Sequence, residues 1–143
     1  MTEISWASDY VGLPFLDGGR DRAGVDCWGL VRLVYAERLE MTLPDFAEVK
    51  ALDLRAVARA IVGSIDGNAW VPVIRGAEQE FDVVVMRGHA GGVGLPAHVG
   101  IVAPFGAVLH VEKGIDAVAP RLNSQTVKDR IVGVYRHHVI ASR

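Results

Sequence analysis

Cysteine is nearly absent: Cys27 is the only one among 143 residues. An internal disulfide is therefore excluded, and the fold does not depend on an oxidising compartment. No apolar run is long enough to span a bilayer. The first residues lack the basic region and apolar stretch of a secretory signal peptide. We therefore expect a protein made in the cytoplasm, which something other than a signal peptide would have to carry outside.

A large excess of one sign of charge is also lacking, since the formal net charge is −2. This balance gives no electrostatic reason to expect nucleic acid or an anionic membrane as the partner. What is present is apolar: 50% of the residues are hydrophobic, which is typical of a globular chain. The length suits a single domain over residues 1–143.

The two halves of the chain differ in pattern. The first half predicts a short helical lead-in at Ile4–Val11, a glycine-punctuated loop at Gly12–Gly24, and helices from Cys27 to about Glu40 and over Asp53–Ile65. The second half predicts five strands: Trp70–Ile74, Phe81–Met86, His98–Val102, Ala107–Val111 and Ile131–His138. Helices followed by strands indicate an α+β domain with an antiparallel sheet.

Cys27 lies in the first turn of the first long predicted helix, directly after Asp26. Aspartate is a good N-cap, because its carboxylate accepts bonds from the free N–H groups of a helix start. The partial positive charge there favours thiolate, so we expect the pKa of Cys27 to be lowered. The sequence thus predicts a nucleophile; the alternative is a small buried core cysteine.

A thiolate nucleophile needs a base, and histidine titrates closest to neutral pH. His98 and His110 lie on consecutive predicted strands joined by a turn at Pro104–Ala107, which brings them opposite or nearly so on one face. His98 then serves as the base and His110 as the group that orients it. The alternatives are a loop-edge residue for His98 and a hydrogen-bonded strand residue for His110. We give His89 no role, and we expect a solvated strand end for His137 and His138.

Zinc is the other use for one cysteine and two histidines, since sulfur and imidazole are its usual ligands. A structural zinc site needs four ligands at tight local spacing, and Cys27, His98 and His110 do not have it. We therefore predict no metal and no cofactor.

These motifs resemble those of NlpC-type cell-wall peptidases, papain-like cysteine hydrolases that cut peptidoglycan stem peptides. Residues 26–31 read Asp-Cys-Trp-Gly-Leu-Val and residues 98–101 read His-Val-Gly-Ile, as in that family except for one residue. The resemblance also covers the Gly-Gly approach at 18–19 and the Asp-Val-Val strand entry at 82–84. It implies a papain-like fold with the nucleophile helix packed on the sheet, a Cys27–His98–His110 triad, and a peptidoglycan stem peptide as substrate.

Three residues depart from the family pattern. Phe15 stands where a tyrosine is usual, so the tyrosine hydroxyl that would help to hold an oxyanion is missing. Trp28 replaces a serine and is expected to narrow or stack the substrate site, and Phe81 replaces a glycine before Asp82. Asp26, Phe15 and Trp28 are thus the expected neighbours of the substrate.

A subgroup is more similar still, on the segments Tyr10–Arg20, Asp26–Val31 and Gly133–His137. It comprises single-domain members encoded among tail genes of phages and gene transfer particles, which implies phage-like tail proteins as partners. The alternatives are a structural tail-tip protein with a weak or vestigial site, and an amidase or acyltransferase using the same residues, because one fold hosts many chemistries.

Overall fold

The computed structural model describes residues 5–44, 70–87 and 96–141. The predicted helix at Asp53–Ile65 and the residue His89 lie outside these ranges. The described elements are one long helix, α1 (Cys27–Leu39), a terminal helical turn (His138–Ala141), and eight strands: β1 (Arg20–Asp21), β2 (Gly24–Val25), β3 (Trp70–Val73), β4 (Val83–Arg87), β5 (Pro96–Ala103), β6 (Ala107–Glu112), β7 (Ile115–Val118) and β8 (Ile131–His137).

Six of the strands form one antiparallel sheet in the order β3-β8-β4-β5-β6-β7. All five predicted strands are present in it, and the turn between β5 and β6 is the short 3₁₀ segment Pro104–Gly106. The sequence missed β7, which follows a tight turn at Gly114. The α+β class with an antiparallel sheet is confirmed.

The segment Gly12–Gly24, predicted to be an irregular loop, is partly regular. β1 and β2 pair as a two-stranded antiparallel ribbon directly before the nucleophile helix. The expected helical lead-in is a single 3₁₀ turn, Trp6–Asp9. Its aromatic rings do share one side, because Trp6 and Tyr10 meet edge to face at 6.1 Å.

The start and end of helix α1 follow from its sequence. Asp26 is the N-cap and accepts a hydrogen bond from the N–H of Gly29 at 2.7 Å. The end is set by Glu40, whose backbone is left-handed (φ 53°), and by the N–H of Met41, which donates to the carbonyl of Tyr35. Both ends therefore satisfy backbone groups that a helix leaves free.

The core lies on both sides of the sheet. Helix α1 packs its apolar side onto one face, where its residues contact alternate valines and leucines of the strands: Leu30, Val31, Val34, Val83, Val85, Val99, Leu109. A second cluster, which includes Val84 and Met86, covers the other face. Strand β4 is thus buried on both faces, which explains its unbroken apolar run.

A buried ion pair ties Asp82, the residue directly before β4, to β8. Asp82 is fully buried, and its carboxylate accepts two bonds from Arg136, at 2.8 and 2.9 Å. The backbone N–H of Gln79 donates a third, at 2.8 Å. Because every oxygen is satisfied, the charge is tolerated inside the protein.

Within the described ranges, no helix is both long and apolar enough to cross a membrane.

Candidate active site

Cys27 is the first residue of α1 and is 2% exposed. Its neighbour Asp26 is held by Arg20, whose Nη1 donates to Oδ1 at 2.6 Å. The predicted place of the cysteine, at the N-terminus of a half-buried helix behind an aspartate cap, is therefore confirmed. The β1–β2 ribbon directly precedes this start of the helix and contacts it.

The thiol itself differs from expectation. Burial raises the pKa of Cys27 from 9.0 to about 12, while the backbone N–H of Val99 and that of Trp28 act in the opposite direction. The expectation of a lowered pKa was wrong, because loss of hydration outweighs the favourable end of the helix. The resting sulfur is a thiol, so a base must remove its proton before it attacks.

That base would come from strand β5. The contact between the Cys27 sulfur and the N–H of Val99 brings the helix start to the residue next to His98. His98 is 2% exposed and His110 is 5% exposed. Their rings form a hydrogen bond of 2.8 Å between Nε2 of His98 and Nδ1 of His110. The structure thus brings the two predicted histidines together, and His98 lies on β5, the strand that the thiol contacts.

The close approach of the two strands depends on Gly100. The register pairs Ile101 with Leu109, and continuing it places Gly100 across from His110. A Cβ on Gly100 would lie 3.2 Å from the Cβ of His110 and 2.8 Å from a methyl of Val108. Only glycine therefore lets the two imidazoles meet diagonally across the hairpin.

Glu112 and Arg130 belong to the site, and the sequence reasoning missed both. Glu112 Oε1 lies 3.2 Å from Nε2 of His98, and Arg130 Nη2 donates to the same oxygen. The signal was available, since residues two apart on a strand share a face. Glu112 stands two residues after His110, and the continued register puts it directly across from His98.

The electrostatics of His110 reflect these neighbours. Burial lowers its pKa, Glu112 raises it, and Arg130 lowers it again. His110 is therefore neutral at neutral pH, so one of its ring nitrogens can accept a hydrogen bond. With the proton on Nε2 of His98, the Nδ1 of that ring carries a lone pair that can accept a proton.

Three ligand atoms could in principle hold a cation. Those of His98, His110 and Glu112 all lie within 4.8 Å of one another. Their bonding favours another use, however, because the two ring nitrogens share a hydrogen bond and Arg130 donates to the glutamate. A cation would have to replace both contacts and sit beside a guanidinium. The donor set therefore fits a hydrogen-bonded relay better than a metal centre.

The other predicted site residues have more structural roles. Phe15 is half-buried and pairs with Val25 in a β-bridge before the helix. Trp28 is 1% exposed, and its indole N–H donates to the carbonyl of Pro44 at 2.8 Å. Trp28 is thus part of the core and anchors the chain after α1. The expectation that Trp28 narrows or stacks the substrate site stays a prediction.

The C-terminal histidines also differ from expectation. His138 is exposed, but His137 is half-buried and its ring meets Trp70 edge to face at 5.0 Å. Burial lowers the pKa of His137, and His138 lowers it further. Only His138 therefore fits the predicted solvated strand end.

A surface pocket of about 500 Å³ beside Phe105 lies at the opposite end of β5 from His98, and its lining contains none of the predicted site residues.

A capped helix that carries a cysteine at its start and packs on an antiparallel sheet with a histidine pair defines a papain-like α+β domain. Residues 12–136 match the model of the NlpC/P60 family. Because the match spans most of the chain, the protein belongs to that family. No curated protein gives a significant match.

Solved structures of the same family share the fold. An NlpC/P60 family protein from Bacillus cereus superposes with a TM-score of 0.65 and 22% identity, over 92% of this chain and 37% of that one. NlpC1 from Trichomonas vaginalis gives 0.65 and 15%, over 92% and 41%. The NlpC/p60 domain of the peptidoglycan hydrolase SagA gives 0.58 and 20%, over 91% and 92%. The chain thus spans less than half of the first two proteins and nearly all of the SagA domain.

Proposed function

We propose that this protein is a cysteine peptidase that hydrolyses stem peptides of peptidoglycan. The observation that carries the proposal is the buried 2.8 Å bond between His98 and His110, on the strands next to a cysteine at a helix start. Membership of the NlpC/P60 family supports it. So does the SagA domain, which has the same fold and whose parent protein is a peptidoglycan hydrolase.

In the proposed reaction, Nδ1 of His98 takes the proton of the Cys27 thiol as the sulfur attacks a peptide carbonyl. The backbone N–H of Cys27 helps to hold the oxyanion at the helix start. His98 then gives the proton to the leaving amine, the C–N bond breaks, and an acyl-enzyme remains. Water hydrolyses the thioester, and His110 holds the base in the productive tautomer throughout.

The bond cut would be that between γ-D-glutamate and a diamino acid, a specificity taken from the family resemblance. The assembly into a phage-like tail, which would carry the enzyme to the wall, rests on the subgroup resemblance of Tyr10–Arg20, Asp26–Val31 and Gly133–His137. Pull-down of the tagged chain from particles tests the tail partner, and recovery of the chain only outside particles would contradict it.

The test of the activity is release of stem-peptide fragments from purified peptidoglycan, analysed by mass spectrometry. We expect Cys27→Ala to lose at least a thousandfold in rate, because the nucleophile is gone. His138→Ala is the matched control, since it removes an exposed histidine outside the site. Equal release by wild type and Cys27→Ala would contradict the proposal.

A second function is a structural tail-tip protein with little or no hydrolysis. The burial of the thiol, its raised pKa and the missing hydroxyl at Phe15 favour it. In that case Cys27→Ala particles assemble and infect normally, whereas deletion of the chain stops assembly. Loss of infection by the Cys27→Ala particles, with assembly intact, would favour the enzyme.

A further inference from the structure

Glu112 lies where a third member of the relay would act. Its carboxylate is 3.2 Å from the same ring nitrogen of His98 that bonds to His110. The side chain is 10% exposed, so water screens this contact weakly. Nε2 of His98 therefore has two acceptors, one neutral and one anionic.

We propose that Glu112 is a positioning residue that stabilises the protonated ring of His98, and that Arg130 limits how strongly it does so. The inference rests on the proposed function, in which His98 must hold the thiol proton during attack. Arg130 donates to the glutamate oxygen that faces His98, and its Nε also bonds to the carbonyl of Arg87 at 3.1 Å. The guanidinium is thus fixed by β4 and neutralises part of the carboxylate charge.

The electrostatic argument follows from the charges around the ring. On β6, His110 and Glu112 contact the ring of His98. Arg130, in the 3₁₀ turn before β8, reaches it only through Glu112, and Met86 on β4, which pairs with His98, carries no charge. Cys27 of α1 contacts the backbone of Val99, the residue after His98. Since Cys27 rests as a thiol, transfer of its proton creates a thiolate and an imidazolium together. Glu112 is the anion within hydrogen-bond reach of that new cation.

The opposed effects of the two residues are already visible at the neighbouring ring. Glu112 raises the pKa of His110 and Arg130 lowers it. The same pair should act on His98 with the same signs, because the glutamate oxygen is within 3.2 Å of its Nε2. Removal of the Glu112 charge should therefore disfavour the protonated ring of His98, and removal of the Arg130 charge should favour it.

The experiment measures alkylation of Cys27 by iodoacetamide from pH 5 to 10, which needs no peptidoglycan. We expect Glu112→Gln, which keeps the shape and an acceptor, to move the acid limb of the rate profile down by about one pH unit and to lower the neutral plateau about tenfold. Arg130→Gln should move the limb up. Asp116→Asn, which neutralises an exposed carboxylate on β7, is the matched control and should move nothing.

Opposite shifts are the expected result, because a merely structural role would move both profiles in the same direction or neither. Equal shifts, or none, would overturn the inference. If Glu112→Gln does not fold, the Arg130→Gln profile decides alone, and no upward shift overturns the proposal. On peptidoglycan, Glu112→Gln should lower kcat about tenfold with KM unchanged.

Failure of the proposed function is recognised separately. If Cys27→Ala still releases fragments, the peptidase assignment is lost, but the alkylation profiles still test the pairing of Glu112 with His98. If wild type releases fragments and both variants keep its pH profile, the peptidase assignment stands and the role of Glu112 is lost.

Discussion

Phe81 holds its backbone in the left-handed region, with φ at 75°, which a residue with a Cβ rarely adopts. Its ring stacks on Trp6 at 5.0 Å, nearly parallel. The sequence had marked this position only because a glycine is usual there in the family. The structure gives the reason: the turn before Asp82 requires a positive φ, and here a stacked ring offsets the cost.

We therefore predict that Phe81→Gly is more stable than Phe81→Ala by about 1 kcal/mol. Both substitutions remove the ring, and only alanine keeps the strained Cβ. The measurement is urea unfolding of the two variants. At Val132, an exposed position of β8, the order should reverse, because glycine weakens an ordinary strand. Equal stability at position 81 would show that the turn relaxes.

The site residues divide by how far apart in sequence their contacts lie. The Asp26 cap and the Cys27 helix start are local, so the N-cap rule and helical spacing predicted them. The His98–His110 contact lies within one hairpin, so strand alternation predicted it as well. The burial that raises the pKa of Cys27 could not be predicted, because it comes from packing between α1 and β5.

At the scale of elements, the glycine-rich approach to the helix allows close packing as well as turning. A Cβ on Gly29 would lie 2.0 Å from the carbonyl oxygen of Gly19. That carbonyl accepts bonds from the backbone N–H of Asp26 and from Nη1 of Arg20. The loop and the first turn of α1 are therefore in direct backbone contact, and the nucleophile sits at this contact.

Gly29→Ala is accordingly predicted to destabilise the protein by about 2 kcal/mol, even though alanine is the better helix former by about 1 kcal/mol. The loop must move away from the helix start, so alkylation of Cys27 should also become faster. Ala36→Gly, on the exposed side of the same helix, is the control. It should cost about 1 kcal/mol through propensity alone and leave alkylation unchanged. A more stable Gly29→Ala would contradict the contact.

Other elements were less accessible to sequence reasoning. β1 and β2 have two residues each, which is too few to show a pattern of alternation. They form because they pair with each other in an antiparallel ribbon. β7 pairs with β6 through an irregular register, so its alternation is weak. Glu112 was missed for a related reason, since the end of β6 was placed at Val111. The register of β5 and β6, once known, is sufficient to find it.

At the scale of the whole molecule, several buried hydroxyl and thiol groups favour the protonated form. Burial raises the pKa values of Cys27, Tyr35 and Tyr10. A group whose pKa is raised on folding adds stability below its unfolded value and loses it as pH climbs toward the folded value. All three therefore act in the same direction, and the fold should weaken in alkali.

For Cys27 the window runs from pH 9.0 to about 12. Below it, the thiol is neutral in both folded and unfolded chains and contributes no pH dependence. Within it, the unfolded chain ionises first, so stability falls by about 1.4 kcal/mol per pH unit from this group, or roughly 2 to 3 kcal/mol by pH 11. Cys27→Ser lacks this ionisation but keeps the tyrosines. Denaturant unfolding of both chains from pH 8 to 11 should show the wild type losing stability faster by that amount. Parallel curves would mean that the folded thiol ionises as easily as the unfolded one, as a thiolate already paired with His98 would.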